Sequence, residues 1–388
     1  LVVRTQVDNR GAILAANDTD IMVTNRDHYS YLWPRDGALI AHALDRAGYP
    51  EVTRPFYFFC RDILSEEGFF WPKYNPDGSV GSSWHPWTRD EYGYLPVQED
   101  ETALVLWALG RNYALYKGFE FIKSLYSPLI VPAADFLERY RDRRTGLPLQ
   151  SYDLWEERRG VFTFTSAAVY GGLQAAASFA RLFGDEGRAG RWDRAAREVK
   201  AATLKHLYSY DLDRFIRGAG FSAEGELEKD FTLESSLYGV FAFGLLPAGH
   251  LRVRRTMQAI RKFLWVNTEI GGIARYPGDY YFRRSGDLQK VPGNPWFICT
   301  LWLAEWQIEA ARTPEELEPA RELLAWAAKR AGKSGIMAEQ VHPYTGEQLS
   351  VAPLTWSHAT FVLAVLKYVE KFALFKNIVQ IRKEPGEI

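Results

Sequence analysis

Apolar side chains recur along this chain at the three- to four-residue spacing of helices, in bursts separated by polar, turn-rich segments. The spacing predicts twelve helices, at 36–48, 51–65, 99–118, 121–142, 163–184, 187–208, 232–245, 250–264, 296–311, 314–332, 355–371 and 373–383. Strand patterns are few, and we expect only short hairpins within 68–82 and 271–282. The chain is therefore predicted to be a succession of helix pairs.

Two of these helices differ in how their apolar residues are distributed. Residues 102–109 are apolar almost throughout, which is typical of a helix surrounded by protein. Residues 187–204 mix charged side chains with alanine, as an amphipathic outer helix does. A ring of six helical hairpins, apolar inside and amphipathic outside, fits both patterns. We therefore predict an all-α fold, an (α/α)6 barrel.

Long loops rich in Trp, Tyr, Gly and charge separate the helix pairs, at 66–97, 143–162, 265–295 and 334–353. Structureless loops of this length are uncommon unless they are functional. We expect them to build an active site at one rim of the barrel. Residues 1–24 are predicted to be an N-terminal lead-in or the remnant of a linker, and residues 25–388 the catalytic barrel.

The composition of the 388 residues excludes several functional classes. The net charge is −1, with acids and bases well mixed, so we expect no nucleic-acid partner. No run of about 18 uncharged apolar residues occurs, so no membrane span is expected. No CxxC or HExxH pattern occurs, and we predict neither a metal nor a cofactor. Cys60 and Cys299 fall in apolar runs and are predicted to be buried free thiols.

The first residues do not resemble a signal peptide. Together with the small number of cysteines, this favours a cytoplasmic location, unless a truncated start hides a signal. Aromatic residues make up 15% of the chain, including 13 Trp and 21 Tyr. Sugars stack on flat aromatic rings, so this content indicates a carbohydrate cleft, although a helical core with aromatic filler remains an equal alternative.

Adjacent carboxylates follow a tryptophan at Trp155, Glu156 and Glu157. A glycosidic oxygen must be protonated as it leaves, and a carboxylic acid can do this when its surroundings raise its pKa. Consecutive residues do not share a helix face, so the two glutamates are expected to have different roles. The alternative is a solvated turn in which Glu157 pairs with Arg158 or Arg159.

A third candidate glutamate, Glu339, lies far downstream in a short segment within a loop. A carboxylate in such a loop can orient a water molecule. Glu347 in the same loop is a rival, and a carboxylate without a role is the alternative to both.

Three further stretches offer polar groups beside aromatic rings. Arg35 and Asp36 start a helix directly after Trp33, and together they form a rigid donor–acceptor unit for sugar hydroxyls or, alternatively, a salt-bridged helix cap. Arg275 and Trp296 each lie in aromatic, turn-rich segments. The run 99–101, three consecutive acids, is interpreted as a charge cluster at the start of a helix.

Together these motifs resemble glycoside hydrolase family 15, the glucoamylase family, over about residues 25–370. The resemblance implies that Glu156 is the general acid, that Glu339 rather than Glu347 is the general base, and that Glu157 helps to bind the adjacent sugar. It implies a substrate site formed by Tyr29, Trp33, Arg35, Asp36, Trp155, Glu157, Arg275, Trp296 and Trp356. Tyr94 stands where fungal members carry a tryptophan, which leaves the second sugar site open. Bacterial and archaeal relatives often carry a β-sandwich domain before the barrel.

The resemblance implies exo-hydrolysis of an α-linked gluco-oligosaccharide or glucan with inversion, releasing β-glucose and using no cofactor. Inversion requires roughly 6.5–9.5 Å between the two catalytic carboxyl groups. Trehalase, or a hydrolase of isomaltose or dextran, is the alternative within the family. A non-catalytic carbohydrate-binding relative would be expected to lose one of the two carboxylates, and an epimerase or lyase would instead need a catalytic His or Tyr.

Overall fold

The computed structural model describes residues 1–18, 20–23, 27–83, 85, 88, 94–222 and 225–383. The α-helices are α1 (Pro34–Arg46), α2 (Pro50–Ile63), α3 (Glu99–Tyr116), α4 (Phe119–Leu125), α5 (Val131–Arg139), α6 (Thr163–Leu182), α7 (Glu186–His206), α8 (Gly239–Ala242), α9 (Leu251–Phe263), α10 (Phe297–Ala310), α11 (Glu318–Arg330) and α12 (Thr355–Lys383). The strands are β1 (Ser151–Tyr152), β2 (Arg159–Phe162), β3 (Tyr208–Ser209), β4 (Arg214–Phe215), β5 (Gly218–Phe221), β6 (Leu227–Asp230), β7 (Gln340–Val341) and β8 (Gln348–Leu349).

Six helical elements close into an inner ring. Helix α1 packs against α3, α3 against α6, and α6 against α8 with the 3-10 turn Ser235–Tyr238 that precedes it. This turn packs against α10, α10 against α12, and α12 returns to α1. Helices α2, α5, α7, α9 and α11 pack on the outside of this ring. The predicted all-α, (α/α)6 barrel is confirmed.

Burial follows the distribution of apolar residues that distinguished inner from outer helices. Every residue from Glu99 to Leu109 in α3 is buried, as is every residue from Phe297 to Ile308 in α10. Outer helix α7 buries one stripe, which consists of Ala189, Trp192, Ala195, Ala196, Val199, Ala202 and Thr203. The periodicity therefore assigned 102–109 and 187–204 to the correct rings.

Four predicted helices differ from the observed ones. The stretch 121–142 is interrupted by a π-helical turn at Tyr126–Ile130, next to prolines that cannot donate a helical hydrogen bond. The stretch 232–245 forms only the turn Ser235–Tyr238 and α8. The separate helices at 355–371 and 373–383 are one helix, because no Gly or Pro interrupts the chain between them. The sixth hairpin was thus predicted wrongly, and among the described residues α12 has no outer partner of its own.

A four-stranded antiparallel sheet lies where no strand was predicted, in the loop 143–162 and in the stretch between the predicted helices 187–208 and 232–245. Its strand order is β1-β2-β5-β6. Tyr152 of β1 pairs with Arg159 of β2, so a six-residue connection, 153–158, joins the two strands as a hairpin loop. This hairpin loop is the segment that contains the adjacent glutamates, and the sheet anchors both of its ends.

The segment before residue 25 packs against the barrel in its described part. Residues 12–16 are buried, the Ala15 amide donates to the Tyr31 carbonyl (2.9 Å), and the Thr355 amide donates to the Ala15 carbonyl (2.8 Å). The division at residue 24 stays a prediction. None of the helices in the described residues combines the length and apolarity needed to cross a bilayer.

The close packing between inner helices can be tested with two glycines, one at the contact of α6 with α3 and one on outer helix α7. A Cβ on Gly172 of α6 would lie 2.6 Å from the backbone oxygen of Ala103 in α3, whereas a Cβ on Gly190 of α7 meets nothing within 4 Å. We expect Gly190→Ala to raise the free energy of unfolding by about 0.5–1 kcal/mol through helix propensity. Gly172→Ala should lower it despite the same gain, because backbone cannot move aside cheaply. Urea denaturation followed by circular dichroism measures both, and a Gly172→Ala variant as stable as the parent would contradict the packing.

Candidate active site

A cavity of about 410 Å³ is lined by loops and by the ends of inner helices. All eleven residues singled out in the sequence line it: Tyr29, Trp33, Arg35, Asp36, Trp155, Glu156, Glu157, Arg275, Trp296, Glu339 and Trp356. The other lining residues were not predicted as site residues: Ala15, Leu154, Tyr280, Tyr281, Ile298 and Leu354. Residues separated by up to 341 positions in the chain therefore meet in one site (Ala15 and Trp356).

The hairpin loop between β1 and β2 presents Glu156 in an unusual backbone conformation. Asp153 Oδ1 accepts hydrogen bonds from the amides of Glu157 (2.8 Å) and Arg158 (3.1 Å), and the Glu156 amide donates to the Asp153 carbonyl (3.0 Å). Within this tight loop Glu156 has φ of +58°. A non-glycine residue in the left-handed region is uncommon and persists only where its surroundings hold it. The loop therefore fixes the direction in which Glu156 leaves the backbone.

Two donors hold the carboxyl group of Glu156. Its Oε1 accepts from Trp33 Nε1 at 2.7 Å and from Gln98 Nε2 at 2.9 Å. His85 Nε2 lies 3.0 Å from the backbone oxygen of Glu156. Trp33 is the residue before α1 and Gln98 the residue before α3, so two inner helices position one carboxyl oxygen.

Glu157 belongs to a different network, centred on Arg275. Arg275 Nη2 lies 2.7 Å from Glu157 Oε1 and 2.6 Å from Asp279 Oδ1, and the hydroxyl of Tyr276 also donates to Glu157. The Arg275 guanidinium lies 4.6 Å from the ring centre of Trp296. The solvated-turn alternative, with Glu157 paired to Arg158 or Arg159, is thus wrong.

Arg35 is buried among carboxylates at the start of α1. Its guanidinium lies 3.0 Å from Asp36, 3.3 Å from Asp100 and 3.0 Å from Glu101. Glu99, Asp100 and Glu101 form the first turn of α3, as the sequence predicted for this charge cluster, and all three are fully buried. Burial raises the pKa of Asp36 to about 6, although the charge of Arg35 opposes the shift.

Glu339 lies across the cavity, directly before β7, with 6% of its surface exposed. Burial raises the pKa of Glu339 to about 7, against the opposing effects of the Ser350 hydroxyl and the charge of Arg275. Its Oε2 has no hydrogen-bond partner among the described residues. The rival Glu347 is exposed and does not line the cavity.

Aromatic side chains form much of the remaining wall. The hydroxyls of Tyr29 and Tyr281 are 2.7 Å apart, and burial raises the pKa of Tyr29 well above its usual value. Trp155 donates from Nε1 to Glu234 at 3.0 Å, which fixes its ring beside Trp296.

Several residues that hold this site were not found from the sequence. Asp279 lies four residues after Arg275, and Gln98 lies directly before the acidic run 99–101. Each was therefore adjacent to a motif identified in the sequence. Tyr281 offered no signal beyond its aromatic neighbourhood. In the part of the chain that the structure describes, no group of three or more His, Cys, Asp or Glu side chains is arranged to hold a metal ion. Both cysteines are buried and free, as predicted.

The family model described as Glycosyl hydrolases family 15 matches residues 1–366. An uncharacterized glycosyl hydrolase of Methanocaldococcus jannaschii is 28% identical over 92% of this chain and 53% of its own length. Trehalase 2 of Sulfolobus acidocaldarius is 24% identical over 93% of this chain and 61% of its own. The chain thus spans little more than half the length of these relatives.

Among solved structures, a bacterial glucoamylase complexed with acarbose superposes with a TM-score of 0.78 at 21% identity. The match covers 97% of this chain and 56% of that one. At this identity the likeness concerns the fold, and it supports the barrel described above.

The raised pKa of the buried Glu339 carboxyl group predicts how the free energy of unfolding depends on pH. Its folded pKa of about 7 exceeds the ordinary value of 4.5, so its ionisation opposes folding as the pH rises between these values. Glu339→Gln cannot ionise. We expect its free energy of unfolding, relative to the parent, to increase by roughly 3 kcal/mol between pH 4 and pH 8, since a tenfold change in proton affinity is about 1.4 kcal/mol.

Denaturant titrations at both pH values measure this difference. Glu347→Gln is the matched control, because Glu347 lies exposed in the same loop. A Glu339→Gln variant whose stability follows the parent at both pH values would show that Glu339 is not buried as described.

Proposed function

Because this chain belongs to glycosyl hydrolase family 15, whose model matches residues 1–366, we propose that it cleaves α-glucosides from their non-reducing ends with inversion. The observation that supports this most is the meeting of Glu156 and Glu339 in one cavity with the Arg35–Asp36 pair. An inverting hydrolase needs one carboxyl group to protonate the leaving oxygen and another to activate water. The same cavity offers both groups and a polar anchor for a sugar.

Glu156 is the proposed general acid. Trp33 and Gln98 both donate to its Oε1, so this oxygen acts only as an acceptor. No hydrogen bond among the described residues occupies Oε2, which is therefore the oxygen free to hold the proton and deliver it to the glycosidic oxygen.

Glu339 is the proposed general base. A carboxylate is a stronger base when its conjugate acid has a higher pKa, and bases work best with a pKa near the working pH. The pKa of Glu339, raised by burial to about 7, meets this condition. Glu339 lines the cavity, where its carboxylate is suited to accept a proton from the attacking water.

The remaining cavity residues are proposed to bind the sugar. Arg35 and Asp36 anchor the terminal glucose through its hydroxyls, with Tyr29 near the ring oxygen. Glu157 and Arg275, already paired at 2.7 Å, hold the adjacent sugar through donors and acceptors fixed in advance. The rings that line the cavity offer stacking surfaces: Trp33, Trp155, Trp296 and Trp356.

Trehalose is the second candidate substrate, because the relative from Sulfolobus acidocaldarius is a trehalase. An isomaltose or dextran glucohydrolase would use the same two carboxyl groups. A non-catalytic sugar-binding role is disfavoured, since the chain retains both Glu156 and Glu339.

A panel of starch, maltose, isomaltose, dextran and trehalose tests the activity. We expect glucose to be released, and early proton NMR spectra of the maltose reaction to show the newly freed unit as the β-anomer before mutarotation. Preference for trehalose would select the second candidate. Release of α-glucose, or no hydrolysis of any α-glucoside, would contradict the proposal.

The role of Glu156 is tested through the leaving group. Glu156→Gln should lower kcat/KM for maltose by about 10²–10⁴-fold, the usual contribution of acid catalysis. α-Glucosyl fluoride needs no protonation of this kind, so its hydrolysis should fall far less. Glu347→Gln, exposed and outside the cavity, should leave both substrates unaffected. Equal losses on maltose and the fluoride would assign Glu156 another role.

A further inference from the structure

A second cavity, here the outer groove, lies on the outside of the barrel between α9 and α11 and has a volume of about 560 Å³. Helix α10 contributes Gln307 to it, α9 contributes Gln258, and α11 contributes Trp326. Trp265, from the segment after α9, also lines it. The outer groove shares no lining residue with the cavity that contains Glu156 and Glu339.

The two tryptophans of the outer groove are held rigidly against a pair of glycines. A Cβ on Gly271 would lie 2.7 Å from the ring of Trp265, and a Cβ on Gly272 would lie 2.6 Å from the ring of Trp326. Trp326 Nε1 also donates to the Ile270 carbonyl at 2.7 Å. Both indoles therefore approach the backbone as closely as glycine permits, and a ligand would not have to order them.

Gln307 adds to the outer groove a side-chain amide whose hydrogen-bonding groups are not all used. It is 8% exposed, and its Oε1 has no hydrogen-bond partner among the described residues. An amide oxygen buried without a partner is unfavourable, so such a group is suited to accept a hydrogen bond from a ligand hydroxyl.

The outer groove does not concentrate charge of one sign. Arg261 and Lys262 lie on one side and Glu322 on the other, while Gln258, Asn267 and Gln307 supply neutral amides. A phosphate or carboxylate ligand would be expected to meet converging cations. Fixed indoles beside amides instead suit a neutral ligand that has apolar faces and many hydroxyls.

We propose that the outer groove is a second carbohydrate-binding site, which holds a stretch of α-glucan while a chain end occupies the catalytic cavity. This inference rests on the proposed function for the identity of the glucan. The outer groove would matter for polymers and not for disaccharides, because only a polymer can reach both places.

Affinity electrophoresis in gels containing glycogen tests the binding directly. The Glu156→Gln background prevents digestion of the gel during the run. In that background we expect Gln307→Leu and Trp265→Ala each to weaken retention at least about fivefold, the loss typical of one good contact. Tyr49→Ala removes an aromatic ring that is 48% exposed and lines neither cavity, and it should leave retention unchanged.

The Gln307→Leu variant also distinguishes a loss of glycogen binding from a loss of folded structure. It replaces a buried amide with an apolar side chain of similar size, so its thermal stability should equal or exceed that of the parent. In the active enzyme, Gln307→Leu should keep kcat/KM for maltose within about twofold of the parent and lose several-fold on dilute glycogen.

Retention that is equal in the parent and in both variants, or no retention of the parent, would overturn the second site. That result would leave the proposed function intact if the parent still releases glucose from the sugar panel. Conversely, a parent that hydrolyses no α-glucoside but loses glycogen retention on Gln307→Leu would overturn the catalytic proposal and support the outer groove.

Discussion

The guanidinium of Arg35 lies buried among the carboxylates of Asp36, Asp100 and Glu101, and this ionic cluster joins the starts of two inner helices. Separating a buried ion pair would leave a charge with neither a partner nor water, which is strongly unfavourable. Helices α1 and α3 therefore cannot shift independently. Arg35 also donates to Gln98, and Gln98 in turn donates to Glu156. The cluster that ties α1 to α3 therefore also fixes one oxygen of the proposed acid.

The two proposed catalytic carboxyl groups differ in their surroundings more than in their position. The carboxyl group of Glu156 accepts two hydrogen bonds, and the backbone of this residue is held in the left-handed region. Glu339 is instead buried with one carboxyl oxygen unpartnered among the described residues. Hydrogen bonds to an oxygen settle which atom holds a proton, and burial raises the affinity of a carboxylate for a proton.

Much of this site could be predicted from local sequence, because each motif brings aromatic and charged residues to a loop or a helix start. Glu156 and Glu157 were found in this way, whereas the substrate-binding role of Arg275 was implied only by the family resemblance. The burial of Asp100 and Glu101 was missed, since both pair with Arg35, which lies 65 positions before Asp100 in the chain. The β-sheet was missed for a similar reason: pairs such as Val161 with Ala219 join short segments that have no strong strand pattern alone.

The segment from Trp265 to Arg275 links the outer groove to the catalytic cavity through backbone hydrogen bonds. The Trp296 amide donates to the Ile273 carbonyl (2.9 Å), and the Ile273 amide donates to Thr300 Oγ1 of α10 (3.0 Å). A segment tied to an inner helix in this way cannot relax at one end without straining the other. The same glycines that admit Trp265 and Trp326 therefore also set where Arg275 emerges, three residues after Gly272. The chain that packs against the two indoles at 271–272 thus continues directly into the segment that carries Arg275.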